Sequence, residues 1–230
     1  MDLSQIRGII FDLDDTLFDC TGQLTDAARK RAAKVIVSEI STLNSESLVH
    51  AQETRSVTLG SAGALIDIGQ THNLPTDLID RARAAYNIEA SECISPFPDT
   101  HSTLSQLFQR GYKLALVTSG NPGRQRRKID QLDLASYFSE SNQTLLLHDD
   151  QISNDKAPFI QQAAHNLTLP PDALLAVGDK LDAEISAANS LGMLTVRIRH
   201  GRQKNRIPQT PAEHPDFEID KLAEILMLLP

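Results

Sequence analysis

Short apolar runs closed by polar or glycine-containing turns recur along this chain, at residues 9–11, 114–117, 145–147, 174–177 and 194–198, with a shorter one at 217–219. Runs this short that are apolar throughout, without alternation, predict strands buried on both faces, as in a parallel sheet. From Asp99 onward the segments between them take helical spacing. Leu104, Leu107 and Phe108 lead to Gly111, a charged helix covers about 124–132, another covers 159–166 ahead of Pro170 and Pro171, and 183–191 ends at Gly192. Strand and helix in alternation predict an α/β fold, a doubly wound parallel Rossmann-like sheet. Residues 202–215, polar, basic and proline-containing, read as an exposed loop before 217–219 and a closing helix from Lys221.

Residues 25–89 break this rhythm. Thr25 or Asp26 is placed to cap a helix whose face carries Ala28, Ala32, Val35, Ile36 and Ile40; a second helical stretch covers about 45–59. Gly60 and Gly63 interrupt it before Leu65 and Ile68 resume. After the break at Asn73, Leu74 and Pro75, Thr76 is placed to cap a helix bearing Ile79, Ala82, Tyr86 and Ile88. A parallel crossover needs only one helix of about a dozen residues, so this stretch reads as a helical insert. The return at 94–99 carries Pro96 and Pro98, which suits a stiff connection between two bodies. The boundaries that follow are a core of 1–18 and 96–230 around an inserted domain of 19–95.

Charge narrows the partners. The 230 residues carry a net charge of −8 at pH 7, which argues against nucleic acid, since phosphate backbones are bound chiefly through Lys and Arg excess. No apolar run approaches the ~20 residues of a membrane helix, and Met1 to Gln5 has neither a basic nor an apolar leader region, so the expectation is a cytoplasmic protein without a membrane partner. Cys20 and Cys93 lie far apart with no CxxC spacing and read as buried or idle thiols. Nothing in the pattern bears on oligomeric state.

The stretch GIIFDLDDTLFD at 8–19 stands out, because its buried strand is closed by Asp12, Asp14 and Asp15. Side chains two apart on extended chain face the same way, so Asp12 and Asp14 can converge on one point, and open α/β sheets bind ligands beyond strand carboxyl ends. Buried carboxylates need a compensating positive charge; a divalent cation satisfies that need, and so does a solvated Asp-rich turn that never buries them. Elsewhere, His148, Asp149 and Asp150 read as loop charge, because neighbours on extended chain point to opposite faces. Arg124, Arg126, Arg127 and Lys128 read as a solvated helix face, with Arg124 near enough in sequence to Thr118 to reach a substrate anion.

Asp12, Leu13, Asp14, Asp15 and Thr16 behind an apolar run resemble the signature of the haloacid dehalogenase superfamily, most of whose members are magnesium-dependent phosphatases. The other residues this resemblance demands follow in order: Thr118 in LALVTSGNPG, Lys156 in NDKAPF and Asp179 in LLAVGDKLDAEI. Two departures stand out. Lys156 is followed by Ala157 and only then Pro158, where the family often writes Lys-Pro, and both Asp182 and Glu184 are candidates for the second acid of the last motif.

The resemblance implies that the insert is a helical cap governing substrate choice. It implies Mg2+ held by Asp12, Asp179 and the Asp14 backbone carbonyl, Asp12 as nucleophile forming an aspartyl-phosphate, and Asp14 as general acid-base. Thr118 and the N–H groups of Ser119 and Gly120 would bind phosphoryl oxygens, and Lys156 would add fixed positive charge. An acid at Asp14 favours phosphorus chemistry over halide displacement. The implied partner is a small phosphorylated metabolite, in a phosphatase; a phosphomutase or a non-catalytic phosphate-binding module are the alternatives.

Overall fold

The computed structural model describes residues 3–88, 93–139, 144–149 and 155–230. The chain divides into two compact units, Met1–Asp19 with Cys93–Pro230, and Cys20–Glu92.

The first unit is built on six parallel strands, β1 (Gly8–Phe11), β2 (Lys113–Ser119), β3 (Leu145–His148), β4 (Leu174–Gly178), β5 (Leu194–Ile198) and β6 (Phe217–Ile219), in the order β3-β2-β1-β4-β5-β6. Chain order reverses beside β1, which lies between β2 and β4. That is the switch point at which open sheets leave a crevice beyond the strand ends. Phe11 pairs with Leu116 and Val177, so Asp12 and Asp179 emerge just past β1 and β4, and Thr118 is the second-last residue of β2, at the same end of three neighbouring strands.

All four residues of β1 are buried. Ile10 joins Ala115, Val117 and Ala176 in a core packed against Ile160, Ala163, Ala164 and Leu167. Phe11 alternates to the opposite face, where it meets Phe138 edge-on at 6.3 Å. This burial on both faces is why the strands read as unbroken apolar runs.

The second unit is helical. One π-helical turn, Thr21–Thr25, runs directly into α1 (Asp26–Glu39) and is followed by α2 (Ser45–Thr71) and α3 (Thr76–Tyr86). Small and branched side chains form its core: Ala32, Ala33 and Ile36 of α1, Leu48, Leu65 and Ile68 of α2, Ile79 and Ala82 of α3. Several expectations are corrected here. Thr25 caps nothing, because the chain is already helical before it, and Pro75 rather than Thr76 holds the N-cap position of α3. Gly60 breaks α2 with φ 67° and ψ 173°, but Gly63 stays within the helix. Ile88 is exposed.

The remaining helices belong to the sheet unit: α4 (Thr100–Gln109), α5 (Pro122–Gln131), α6 (Ala157–Leu167), α7 (Ser186–Ser190) and α8 (Ile225–Leu228). Phe108 points outward from α4, against its sequence reading as a core residue. Residues 202–215 are not simply a loop on the surface: Gln203 and Glu213 are buried in 3₁₀ turns, because Arg197 donates to the Gln203 carbonyl at 2.6 Å and Glu213 accepts from the Gln209 N–H at 2.9 Å. Cys20 is half-buried and Cys93 exposed, and no disulfide joins them. No helix among the described residues is long and apolar enough to cross a membrane.

Candidate active site

Asp12 leaves β1 with its N–H still in the sheet, donated to Val177 O at 2.9 Å, so its side chain is fixed at the strand end. Lys156, at the start of α6 and 144 residues away in sequence, donates from Nζ to Asp12 Oδ1 at 2.6 Å and to Glu184 Oε1 at 2.7 Å. Glu184 lies in a π-helical turn, Leu181–Ile185, and its Oε2 accepts from the Lys180 N–H at 3.1 Å. That approach depends on Gly178, where a Cβ would stand 2.7 Å from the Glu184 Cβ and Cγ. Asp12, Asp179 and Glu184 each bring one carboxylate oxygen to within 4.8 Å of the others.

The cluster is buried, with Asp12, Lys156 and Glu184 at 3% exposure and Asp179 at 1%. Its hydrogen bonding is incomplete. Among the described residues, Asp12 Oδ2, both Asp179 carboxylate oxygens and Thr118 Oγ1 have no hydrogen-bond partner. Buried polar atoms in native proteins are nearly always paired, and an unpaired buried carboxylate is costly. The electrostatics carry the same mark. Burial pushes Asp12 up to about 6 although Lys156 opposes it, and burial raises Asp179 well above the usual carboxylate range. Burial acts the same way on Glu184, but Lys156 and Lys180 more than offset it and its pKa falls. This set of hard oxygen donors, three carboxylates of which Asp12 and Asp179 keep orphaned acceptors, fits a hard divalent cation.

The other sequence-predicted residues are placed as follows. Asp14 is not joined to Lys156. Instead Lys128 Nζ donates to both of its oxygens at 2.7 Å, and Gln125 Nε2 donates to Oδ2 at 3.2 Å. Burial would raise the Asp14 pKa, but Lys128, with Lys180 and Gln125, more than offsets that and the pKa falls. The neighbouring Asp15 takes a left-handed φ of 61°, a conformation that costs a non-glycine residue on the order of 1 kcal/mol and that accumulates at functional sites. Ser119 Oγ shares a hydrogen bond of 3.0 Å with His148 Nδ1. The Gly120 N–H is donated to His148 O at 2.9 Å, so it reaches a phosphoryl oxygen only by sharing or giving up that bond.

Of the two candidate acids in the last motif, Glu184 belongs to the cluster, while Asp182 accepts from Arg206 at 2.5 Å and from Gln203 at 3.4 Å. His148 is corrected from loop charge to a buried strand residue stacked on Phe159 at 4.4 Å; Asp150 lies outside the described residues.

Residues 6–192 match the family model of the haloacid dehalogenase-like hydrolases. The chain belongs to that family. It is 31% identical to the glyceraldehyde 3-phosphate phosphatase of Methanopyrus kandleri, over 96% of each chain, and 28% identical to the phosphoglycolate phosphatase of Neisseria meningitidis, over 97% of this chain and 93% of the other. A crystal structure of a predicted phosphoglycolate phosphatase from Haemophilus somnus superposes over 99% of both chains with a TM-score of 0.67 at 22% identity, which establishes the shared fold.

In this haloacid dehalogenase-like hydrolase, three cationic or polar groups at the site lie outside the sequence expectations: Lys128, Gln125 and Lys180. By charge Lys128 goes with its arginine neighbours on a solvated face, yet it is buried and in contact with Asp14. The sequence does carry a signal for this. Gln125, Lys128 and Ile129 fall at i, i+3 and i+4, and the apolar member marks that face of α5 as the inward one.

Proposed function

We propose that the chain is a magnesium-dependent phosphatase that hydrolyses the phosphate monoester of a small metabolite through an aspartyl-phosphate. The observation that carries this reading is the buried cluster in which Lys156 ties Asp12 to Glu184, while Asp12 Oδ2 and both Asp179 oxygens are left without partners. The two relatives named for glyceraldehyde 3-phosphate and phosphoglycolate support it, and they also name the first esters to try.

Phosphoryl transfer asks the protein for positioning and for cancellation of charge on the equatorial oxygens. Lys156 fixes the plane of the Asp12 carboxylate and supplies one permanent positive charge. Asp12 attacks phosphorus, forming the new O–P bond as the ester O–P bond breaks, and the departing oxygen takes its proton from Asp14, which first takes one up from solvent because Lys128 favours its ionised form in the free protein. In the second step Asp14 accepts a proton from the water that attacks the aspartyl-phosphate, so inorganic phosphate leaves, Asp12 is regenerated as the carboxylate and Asp14 as the carboxylic acid. Thr118 Oγ1, buried and without a partner, is a donor for a phosphoryl oxygen, and the Ser119 and Gly120 backbone lies beside it on the same strand end. Mg2+ would be held by Asp12, Asp179 and the Asp14 carbonyl, where it would keep Asp12 ionised and neutralise the phosphoryl oxygens. Substrate choice falls to the helical unit.

The test is phosphate release from a panel of metabolite monoesters, with Mg2+ and with excess chelator. Release that needs Mg2+ is the expected result. Full activity in chelator would remove the metal from the mechanism, and phosphoryl exchange between substrate positions without free phosphate would make the protein a mutase.

A further inference from the structure

We propose that Lys128 and Gln125 are positioning residues for the Asp14 carboxylate, and that they serve departure of the leaving group rather than substrate binding. The inference rests on the phosphatase reading above and adds two residues that the motifs do not contain.

Helix α5 is polar along its length, but only part of it faces outward. Gln125, Lys128 and Ile129 are its buried residues. Lys128 places one ammonium against both oxygens of Asp14, and Gln125 adds a third hydrogen bond on Oδ2. Gln125 Nε2 also donates to the Ser119 carbonyl, so the amide is braced against the end of β2. It has room there because Gly120 has no side chain: at its φ of +134°, a Cβ would stand 2.8 Å from Gln125 Nε2. The ammonium also lies over the Phe18 ring, 5.7 Å from Nζ to centroid, and Phe18 is bridged to the Asp14 backbone. A cation that meets both a carboxylate and an aromatic face is held by both.

Three hydrogen bonds from one rigid helix onto one short carboxylate leave Asp14 little rotational freedom. A general acid-base works only within hydrogen-bond reach of the atom it serves, and misplacement of about 1 Å costs on the order of 100-fold. The phosphate-facing cluster is built separately, from Asp12, Lys156, Asp179 and Glu184. Loss of the clamp on Asp14 therefore affects the step in which the leaving oxygen needs a proton and spares the binding of phosphate.

The experiment compares wild type, Lys128→Met and Gln125→Leu by kcat/KM on two esters, glycerol 3-phosphate and 4-nitrophenyl phosphate. The first has an alkoxide leaving group that depends on protonation, whereas the second leaves as a stable phenolate. Because kcat/KM reports only the steps through release of the alcohol, later hydrolysis of the intermediate does not blur the comparison. For Lys128→Met the expected loss is about 30- to 300-fold on the alkyl ester and less than about fivefold on the aryl ester, within the range general acid catalysis contributes. Competitive inhibition by inorganic phosphate should move by less than about threefold. Gln125→Leu should show the same selectivity with a smaller loss. Equal losses on both esters, or none on either, overturn the inference while leaving the phosphatase reading in place. A wild type that releases phosphate from neither ester overturns the phosphatase reading, and this inference with it. If Lys128→Met fails to fold, as read by thermal melting, Gln125→Leu decides on the same criteria.

Discussion

In the sheet unit charge is buried, with Asp12, Lys156, Asp179 and Glu184 gathered beyond the strand ends, whereas the charged pairs of the helical unit lie at its surface: Arg81 with Glu39 and Asp77, Arg55 with Asp67, Arg83 with Asp80. The main exception in the helical unit is Arg29, buried with Asp26 and Ser56 as partners. The interiors differ in the same sense. The helical core is packed from small and aliphatic side chains, with Gln52 Oε1 as an unpartnered buried acceptor, while the sheet unit gathers such acceptors on Asp12 and Asp179 beyond its strand ends. Sites are paid for in stability, and here that cost falls on one unit. The helical unit carries little of it, because surface ion pairs and small-residue packing make few demands on burial.

The comparison breaks most sharply at Asp12, the proposed nucleophile. Asp12→Asn is expected to cost at least about 1,000-fold in activity with the thermal midpoint almost unchanged, because Glu184 still pairs Lys156. A variant retaining more than a few per cent of activity would remove Asp12 from its role.

Next in size is Ile68→Ala, which opens a cavity in the helical core and should cost about 2–4 kcal/mol. Hydrogen exchange should speed up across α1 to α3 while β1, β2 and β4 keep their protection. Uniform loss of protection would show that the two units unfold as one.

Asp179→Asn should act in the opposite direction. A folded-state pKa raised by burial means that the ionised carboxylate destabilises the metal-free fold: this penalty is absent below the unfolded pKa and grows as pH rises toward the folded one. In chelator the variant should therefore exceed wild type by about 1–3 kcal/mol at pH 7, and the gap should close as the pH falls below about 4. Added Mg2+ should raise the wild-type midpoint and leave the variant unmoved. A variant less stable than wild type in chelator would mean that the cluster is satisfied without a cation.

The smallest effect is expected at Arg81→Ala, which removes the exposed pair with Glu39. Surface ion pairs contribute little and are screened by salt, so the melting midpoint should be indistinguishable from wild type at physiological ionic strength. A clear drop would give the helical unit's surface charges a structural role that their exposure argues against.

The sequence by itself determined the parallel α/β architecture, the helical insertion and the strand-end positions of Asp12, Thr118 and Asp179. It could do so because burial on both faces of a parallel sheet writes continuous apolar runs, and carboxylates that close such runs fall where open sheets bind their ligands. Tertiary structure alone decided which side chains meet. Lys156 finds Asp12 across 144 residues, Glu184 rather than Asp182 enters the cluster because Gly178 leaves room for it, and Lys128 turns inward to Asp14 while its neighbours Arg126 and Arg127 stay outside. Local pattern records whether a residue faces in or out through the company it keeps, but a long cation among other cations leaves only a faint record of this kind. Its partner is set by the packing of a helix against a distant strand end, and that is a property of the folded chain.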